Sequence, residues 1–211
     1  MKQLHKPNLF GWSAFDETRN VDFNTTVWIR DEGNIVIDPM PLSAHDHAHL
    51  ESLGGVAWIV MTNSDHIRSA KEIAAVFGAK LAGPAGEREV WPFHCDAWLA
   101  DGDELVEGLT AFTCEGSKTP GELVLRIGED TLVTGDLIRA HKGGSLMTLP
   151  HAKLTNPSAA NQSVARLADL PGVDAVLVGD GWHLFSGAGA ALRALVAIDP
   201  PLGGGVEMAQ G

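Results

Sequence analysis

Along this chain, short runs of aliphatic and β-branched residues alternate with segments whose apolar positions repeat at the helical period. Residues 26–30 and 34–37 predict two strands, and the Asp31-Glu32-Gly33 connection between them predicts a hairpin. Ser43 is placed to cap a helix over residues 44–53 that Gly54-Gly55 ends. The unbroken apolar run at 56–61 has the pattern of a strand buried on both faces. Ile67, Ala70, Ile73, Ala74 and Phe77 then share one helical face, with Gly78 as the stop and a short strand at 80–82. That strand–helix–strand unit implies parallel pairing with a right-handed crossover. The middle of the chain reads as antiparallel strands at 109–114, 123–127 and 131–134, the last two joined through Gly128-Glu129-Asp130. Asn156-Pro157 opens a helix running to about residue 170, followed by a buried strand at 175–178 and a helix over 188–197. Such an order predicts sheets covered by helices on their outer faces.

Composition narrows the function classes. With 211 residues, 45% hydrophobic and 20% charged, the chain has enough material for a substantial core. Residues 1–199 read as a single domain, and the segment from Pro200 onward reads as a flexible tail. No apolar run approaches the roughly 20 residues of a membrane span. The opening residues lack the apolar stretch of a secretory signal, so a cytoplasmic location is expected. A net charge of −12 argues against nucleic acid or an anionic membrane as partner and leaves a small molecule. Cys95 and Cys114 lie in no C-x-x-C pattern and read as reduced, partly buried thiols. Trp91, Phe93 and Trp98 suit a pocket, an interface or the core equally well.

The candidate chemistry sits in four loops that directly follow apolar strands: Ile37-Asp38-Pro39, Thr62-Asn63-Ser64-Asp65-His66, Thr134-Gly135-Asp136-Leu137 and Val178-Gly179-Asp180-Gly181-Trp182-His183. A single aspartate after a strand usually caps a helix or fixes a turn, and Asp65 has that reading too. Four such aspartates and two histidines converging on one site would need charge compensation, which a divalent cation supplies. With Thr119-Pro120-Gly121 before a strand, these motifs in this order resemble the metallo-β-lactamase fold superfamily over residues 23–198. The resemblance implies an α/β fold, a four-layer αββα sandwich of two mixed β-sheets flanked by helices.

The same resemblance shows departures. The family's Thr-His-x-His-x-Asp-His loop is two residues shorter here and lacks both early histidines. Its Gly-His-Thr-Pro-Gly becomes Gly116-Ser117-Lys118-Thr119-Pro120-Gly121, and its late Gly-His-Gly becomes Gly179-Asp180-Gly181. The histidines of the first metal position are gone, and Lys118 points a positive charge toward that space. For the second position Asp65, His66 and Asp136 match, and Asp180 replaces a histidine, an oxygen-rich set suited to one zinc, manganese, iron or magnesium ion.

Two functions stay open on these residues. One is a hydrolase of a small ester, thioester or phosphoester with at most one metal. In it Asp65, His66, Asp136 and Asp180 would ligate, Asp65 or His183 would handle the proton, and Lys118 would stabilise negative charge. The other is a degenerate, metal-free member that binds a ligand or regulates, with Lys118 paired to an aspartate in place of the cation. His45, His47 and His49, outside the ligand loop, read as a solvated helix face or an adventitious metal site.

Overall fold

A computed structural model describes residues 1–198; the predicted tail from Pro200 lies outside the described residues. Two sheets form. The first runs β1 (Lys2–Gln3), β2 (Leu9–Asp16), β3 (Val21–Trp28), β4 (Ile35–Ile37), β5 (Trp58–Val60), β6 (Lys80–Pro84), β7 (Ala97–Leu99) in spatial as in chain order. It is antiparallel as far as β4 and parallel from β4 to β7, because helices α1 (Ala44–Ser52) and α2 (Ala70–Phe77) supply the crossovers to β5 and β6. The second contains β8 (Glu104–Val106), β9 (Leu109–Thr113), β10 (Leu123–Ile127), β11 (Thr131–Thr134) and β14 (Ala175–Val178) in the order β14-β11-β10-β9-β8. Only its β11–β14 pair is parallel, bridged in sequence by the β12 (Ile138–Lys142)–β13 (Ser145–Thr148) hairpin and helix α3 (Pro157–Ala168).

Strand alternation distributes the core into layers. Ile35 and Ile37 of β4 face Leu123, Leu125, Val133 and Leu177 between the sheets, while Val36 turns outward onto Leu50 and Ile73. On the second sheet Val124, Leu132, Val176 and Val178 turn outward onto α3 and helix α4 (Ala188–Ile198) through Val164, Leu167 and Leu192. The result is the helix–sheet–sheet–helix sandwich expected. Ser43 caps α1 and Asn156 caps α3, each accepting a backbone N–H, and Gly78 ends α2 in the left-handed conformation. Trp91 is buried in the core, with Trp98 and Phe93 half-buried edge-on against it.

β1, β2, β7, β8, β12 and β13 were not legible as strands. β2 is the longest of them, and its Gly11 and Ser13 weaken the apolar alternation; Gly11 is there because a side chain would run into the Thr25 carbonyl of β3. Beyond β14, Gly181 holds φ at +94°, and a Cβ there would collide with the Ala140 carbonyl oxygen. Gly181→Ala is therefore expected to cost at least about 2 kcal/mol of stability, read as a lower urea midpoint.

Candidate functional site

The site lies where the loops leaving β4, β5, β11 and β14 meet. Asp38 ends β4 with φ at +52°, a left-handed turn that aspartate tolerates. Its carboxylate is buried. Oδ1 accepts the Thr62 N–H at 2.7 Å, and Oδ2 accepts the Thr62 hydroxyl at 2.6 Å and His66 Nδ1 at 2.7 Å. One aspartate thus locks the end of β4 to the loop after β5. Within that loop Asn63 Oδ1 accepts the Asp65 N–H at 2.9 Å and caps a single 3-10 turn over Ser64–His66. Asn63, not Asp65, does the capping, so the Asp65 carboxylate is free to turn toward the cleft.

Burial opposes a charge on His66, but Asp38 beside it, and Asp136 beyond, outweigh that cost and raise its pKa to about 9. At neutral pH it is an imidazolium, with Nε2 3.7 Å from Asp136 Oδ1. Asp136 is also buried. Burial would raise its pKa, yet His66, Lys118 and Arg139 together hold it well below the ordinary carboxylate range. Arg139 Nη2 donates to Asp136 Oδ1 at 3.0 Å, and its Nη1 lies 3.2 Å from Asp180 Oδ2. Lys118 Nζ pairs with Asp65 and lies 3.8 Å from Asp136 Oδ2. His141 Nε2 sits 2.8 Å from Asp180 Oδ2. Asp136 Oδ2 and Asp180 Oδ1 stay buried without a hydrogen-bond partner.

The cleft above these groups has a volume of about 370 Å³ and is walled by Phe23, Met40, Arg19 and Arg68. Arg68 adopts φ +43° and donates through Nη1 to the Asn24 and Asp38 carbonyls, at 2.9 and 3.0 Å, while its guanidinium lies over Phe23. An adjoining hollow of about 390 Å³ is reached past Arg19, Lys153 and His141. Asn24 joins the two sheets beneath it, its Nδ2 donating to Val178 O at 3.0 Å and Gly181 O at 2.8 Å. Under Asp136 lies the fully buried Glu122, whose carboxylate accepts the Leu137 N–H at 2.8 Å and the Ser117 hydroxyl. Burial, then the nearby Asp136, push its pKa up to about 7.

Asp65, His66, Lys118, Asp136 and Asp180 are therefore brought together as the sequence led one to expect, around Asp38. His183 is not. Its Nδ1 accepts the Val178 N–H at 3.1 Å, its ring tilts against Phe185, and burial lowers its pKa to about 4. Among the described residues no three His, Cys, Asp or Glu side chains form a group able to hold a metal ion. The histidines of α1 pack elsewhere: His47 stacks on Phe77 and His49 meets Phe10 edge-on. Cys95 and Cys114 are free and buried, and burial pushes the Cys95 thiol up to about 11, so neither is an activated nucleophile. Arg139, Arg68, Arg19, His141 and Lys153 escape sequence reading. Only Arg139 carried a signal, standing one turn of chain after Asp136, where a side chain can fold back onto it.

Comparison with known proteins bears on this geometry. A family model described as "Metallo-beta-lactamase superfamily" matches residues 1–198. A hydroxyacylglutathione hydrolase from Acidiphilium cryptum (strain JF-5) is 32% identical over 153 residues, which cover 70% of this chain and 60% of that protein. The chain thus aligns with about 60% of the length of that relative. Among solved structures, the DIM-1 metallo-beta-lactamase superposes with a TM-score of 0.72 at 16% identity, covering 93% of this chain and 96% of that one. A metallo-beta-lactamase from Erythrobacter litoralis superposes with a TM-score of 0.69 at 12% identity, covering 93% and 90%. At such identities the structures speak for the fold.

Proposed function

This chain belongs to the metallo-β-lactamase superfamily, and from that premise we propose that its cleft binds a small anionic organic molecule without hydrolysing it. Superfamily members generally bind divalent metals such as zinc. The donor set here fits such an ion poorly, because Lys118 and Arg139 of the chain itself already lie against Asp65, Asp136 and Asp180, although one oxygen each of Asp136 and Asp180 has no hydrogen-bond partner.

One observation carries the reading. Of fifteen lysines and arginines in a chain of net charge −12, five line the cleft and its adjoining hollow: Arg19, Arg68, Lys118, Arg139 and Lys153. Concentrating positive charge in a concave, partly desolvated place on an acidic protein raises the local concentration of anions and repels cations. Lys118 and Arg139 are balanced by aspartates, but at the mouth Arg19 has only Asp16, at 3.9 Å, and Lys153 has no ion pair among the described residues. These two supply the unspent charge. Phe23, under both Arg19 and Arg68, adds an apolar floor for the body of the ligand.

The relative's name suggests a probe, a hydroxyacylglutathione thioester, which carries carboxylates on a flexible small body. Calorimetric titration is expected to show binding that weakens as salt is raised, with thioester loss no faster than in protein-free buffer. Turnover above that background would instead support the hydrolase, for which Asp65, His66 and Asp136 bordering the cleft, with Asp180 in the adjoining hollow, is the favouring observation. Absence of binding to this thioester, inorganic phosphate and a dicarboxylate alike would reject the proposal.

A further inference from the structure

The three carboxylates of the cleft cannot stand together without counter-charge. Asp65, Asp136 and Asp180 come from three different loops, and two of them are buried. Like charges gathered in one place repel strongly wherever water is scarce. Besides His66, 3.7 Å from Asp136, two side chains from two further segments meet the need. The Lys118 ammonium, from the loop before β10, spans Asp65 and Asp136, pairing with the first and lying 3.8 Å from the second. The Arg139 guanidinium, on β12, spans Asp136 and Asp180 with one Nη on each, at 3.0 and 3.2 Å. A carboxylate pair bridged by one cation is the arrangement a divalent ion makes, and here each bridge is a side chain.

We infer that Lys118 and Arg139 are internal replacements for the metal centre: they neutralise its carboxylates, tie together the loops after β5, β11 and β14, and exclude a metal ion by occupying its place. Asp136 is the hinge of the device, since both cations touch it. A guanidinium suits this position because its planar fork bonds two carboxylates at once, and it keeps its charge at every physiological pH. The protein is then organised without any bound ion. This inference goes beyond the anion-binding reading and does not depend on it.

The test uses zinc and thermal unfolding. Purified without a histidine tag from zinc-supplemented culture, the wild-type chain is expected to carry less than about 0.1 zinc per chain, with a melting temperature unchanged by chelator or by zinc. Arg139→Gln strands two buried carboxylates and is expected to lower the melting temperature in chelator by about 3–8 °C, whereas Lys118→Gln, whose pair with Asp65 is half exposed, should lower it by about 0–3 °C. Zinc should then restore part of the loss, because the vacated carboxylates accept the ion. Lys118→His with Arg139→Gln should bind zinc at least about tenfold more tightly than the wild type, by competition with a chromophoric chelator. Should that double variant not fold, the single variants decide the matter. A wild type retaining about one zinc or more per chain through gel filtration would overturn the inference. So would an Arg139→Gln chain with unchanged melting temperature and no zinc uptake. A metal-free wild type that binds no anion would defeat the anion-binding reading and leave this one standing.

Discussion

Asp38→Ala is expected to be the most damaging single substitution at the site, costing about 3–5 kcal/mol of stability at pH 7. The carboxylate it removes accepts three hydrogen bonds, two from Thr62 and one from His66, in a place with almost no solvent. Alanine leaves the buried Thr62 N–H unsatisfied and the His66 imidazolium without its nearest counter-charge. It also forces φ +52° on a residue that resists it. Asp38→Asn separates these effects. It keeps the shape and the left-handed turn and loses the charge, so it should cost less and should lower the pKa of His66. Urea unfolding of both variants, read by tryptophan fluorescence, checks the order. An Asp38→Ala chain within 1 kcal/mol of wild type would dismiss the lock between β4 and the Thr62–His66 loop.

The second large effect is a fall in stability as pH rises from 6.5 to 9. The folded pKa of His66, about 9, lies above its ordinary 6.5, so its contribution is fully present below pH 6.5 and lost as pH rises through about 9. That gap is worth about 3 kcal/mol. Below pH 6.5 two buried groups oppose each other. Glu122, raised from 4.5 to about 7, is most stabilising while protonated and loses stability as pH climbs through that range. His183, lowered to about 4, is held neutral in the folded protein, so its contribution is present above pH 6.5 and lost as pH falls toward 4. The two slopes nearly cancel, and a shallow plateau near pH 5–6.5 is expected before the alkaline decline. Glu122→Gln removes one of them. Its amide can still accept from Leu137 N–H, so the variant should gain about 1–3 kcal/mol at pH 8 and close to nothing at pH 5. Urea midpoints across pH 4–9 for wild type, Glu122→Gln and Asp38→Asn test all three slopes. A profile flat from pH 6.5 to 9 would remove the charged His66 from the description.

Much of this molecule was determined by its sequence because the forces concerned are local or periodic. The apolar runs at β5 and β14, the caps Ser43 and Asn156, and the stop at Gly78 each act within a few residues, so their elements appear close to where the pattern puts them. The placement of Asp38, Asp65, Asp136 and Asp180 each just after an apolar strand was equally legible, since a loop at a strand's end must point to that end of the sheet. Short edge strands such as β7 and β8 had no such signal. They extend because a neighbour offers hydrogen bonds, not because three residues prefer it.

The tertiary structure decided most of what the aspartates meet. Arg139 reaches Asp180 across 41 positions of sequence, a separation that no periodicity encodes, whereas an aspartate partner for Lys118 was expected from the loop motifs and the fold selected Asp65. His183, three residues from Asp180, looked like a partner by proximity and instead turns to the Val178 N–H, because the chain reverses at Gly181. The charge state of His66 and Glu122 likewise belongs to the fold: it follows from burial and from carboxylates delivered by other loops. Local sequence placed the aspartates, His66 and Lys118 in loops at one end of the sheets; packing brought Arg139 between Asp136 and Asp180.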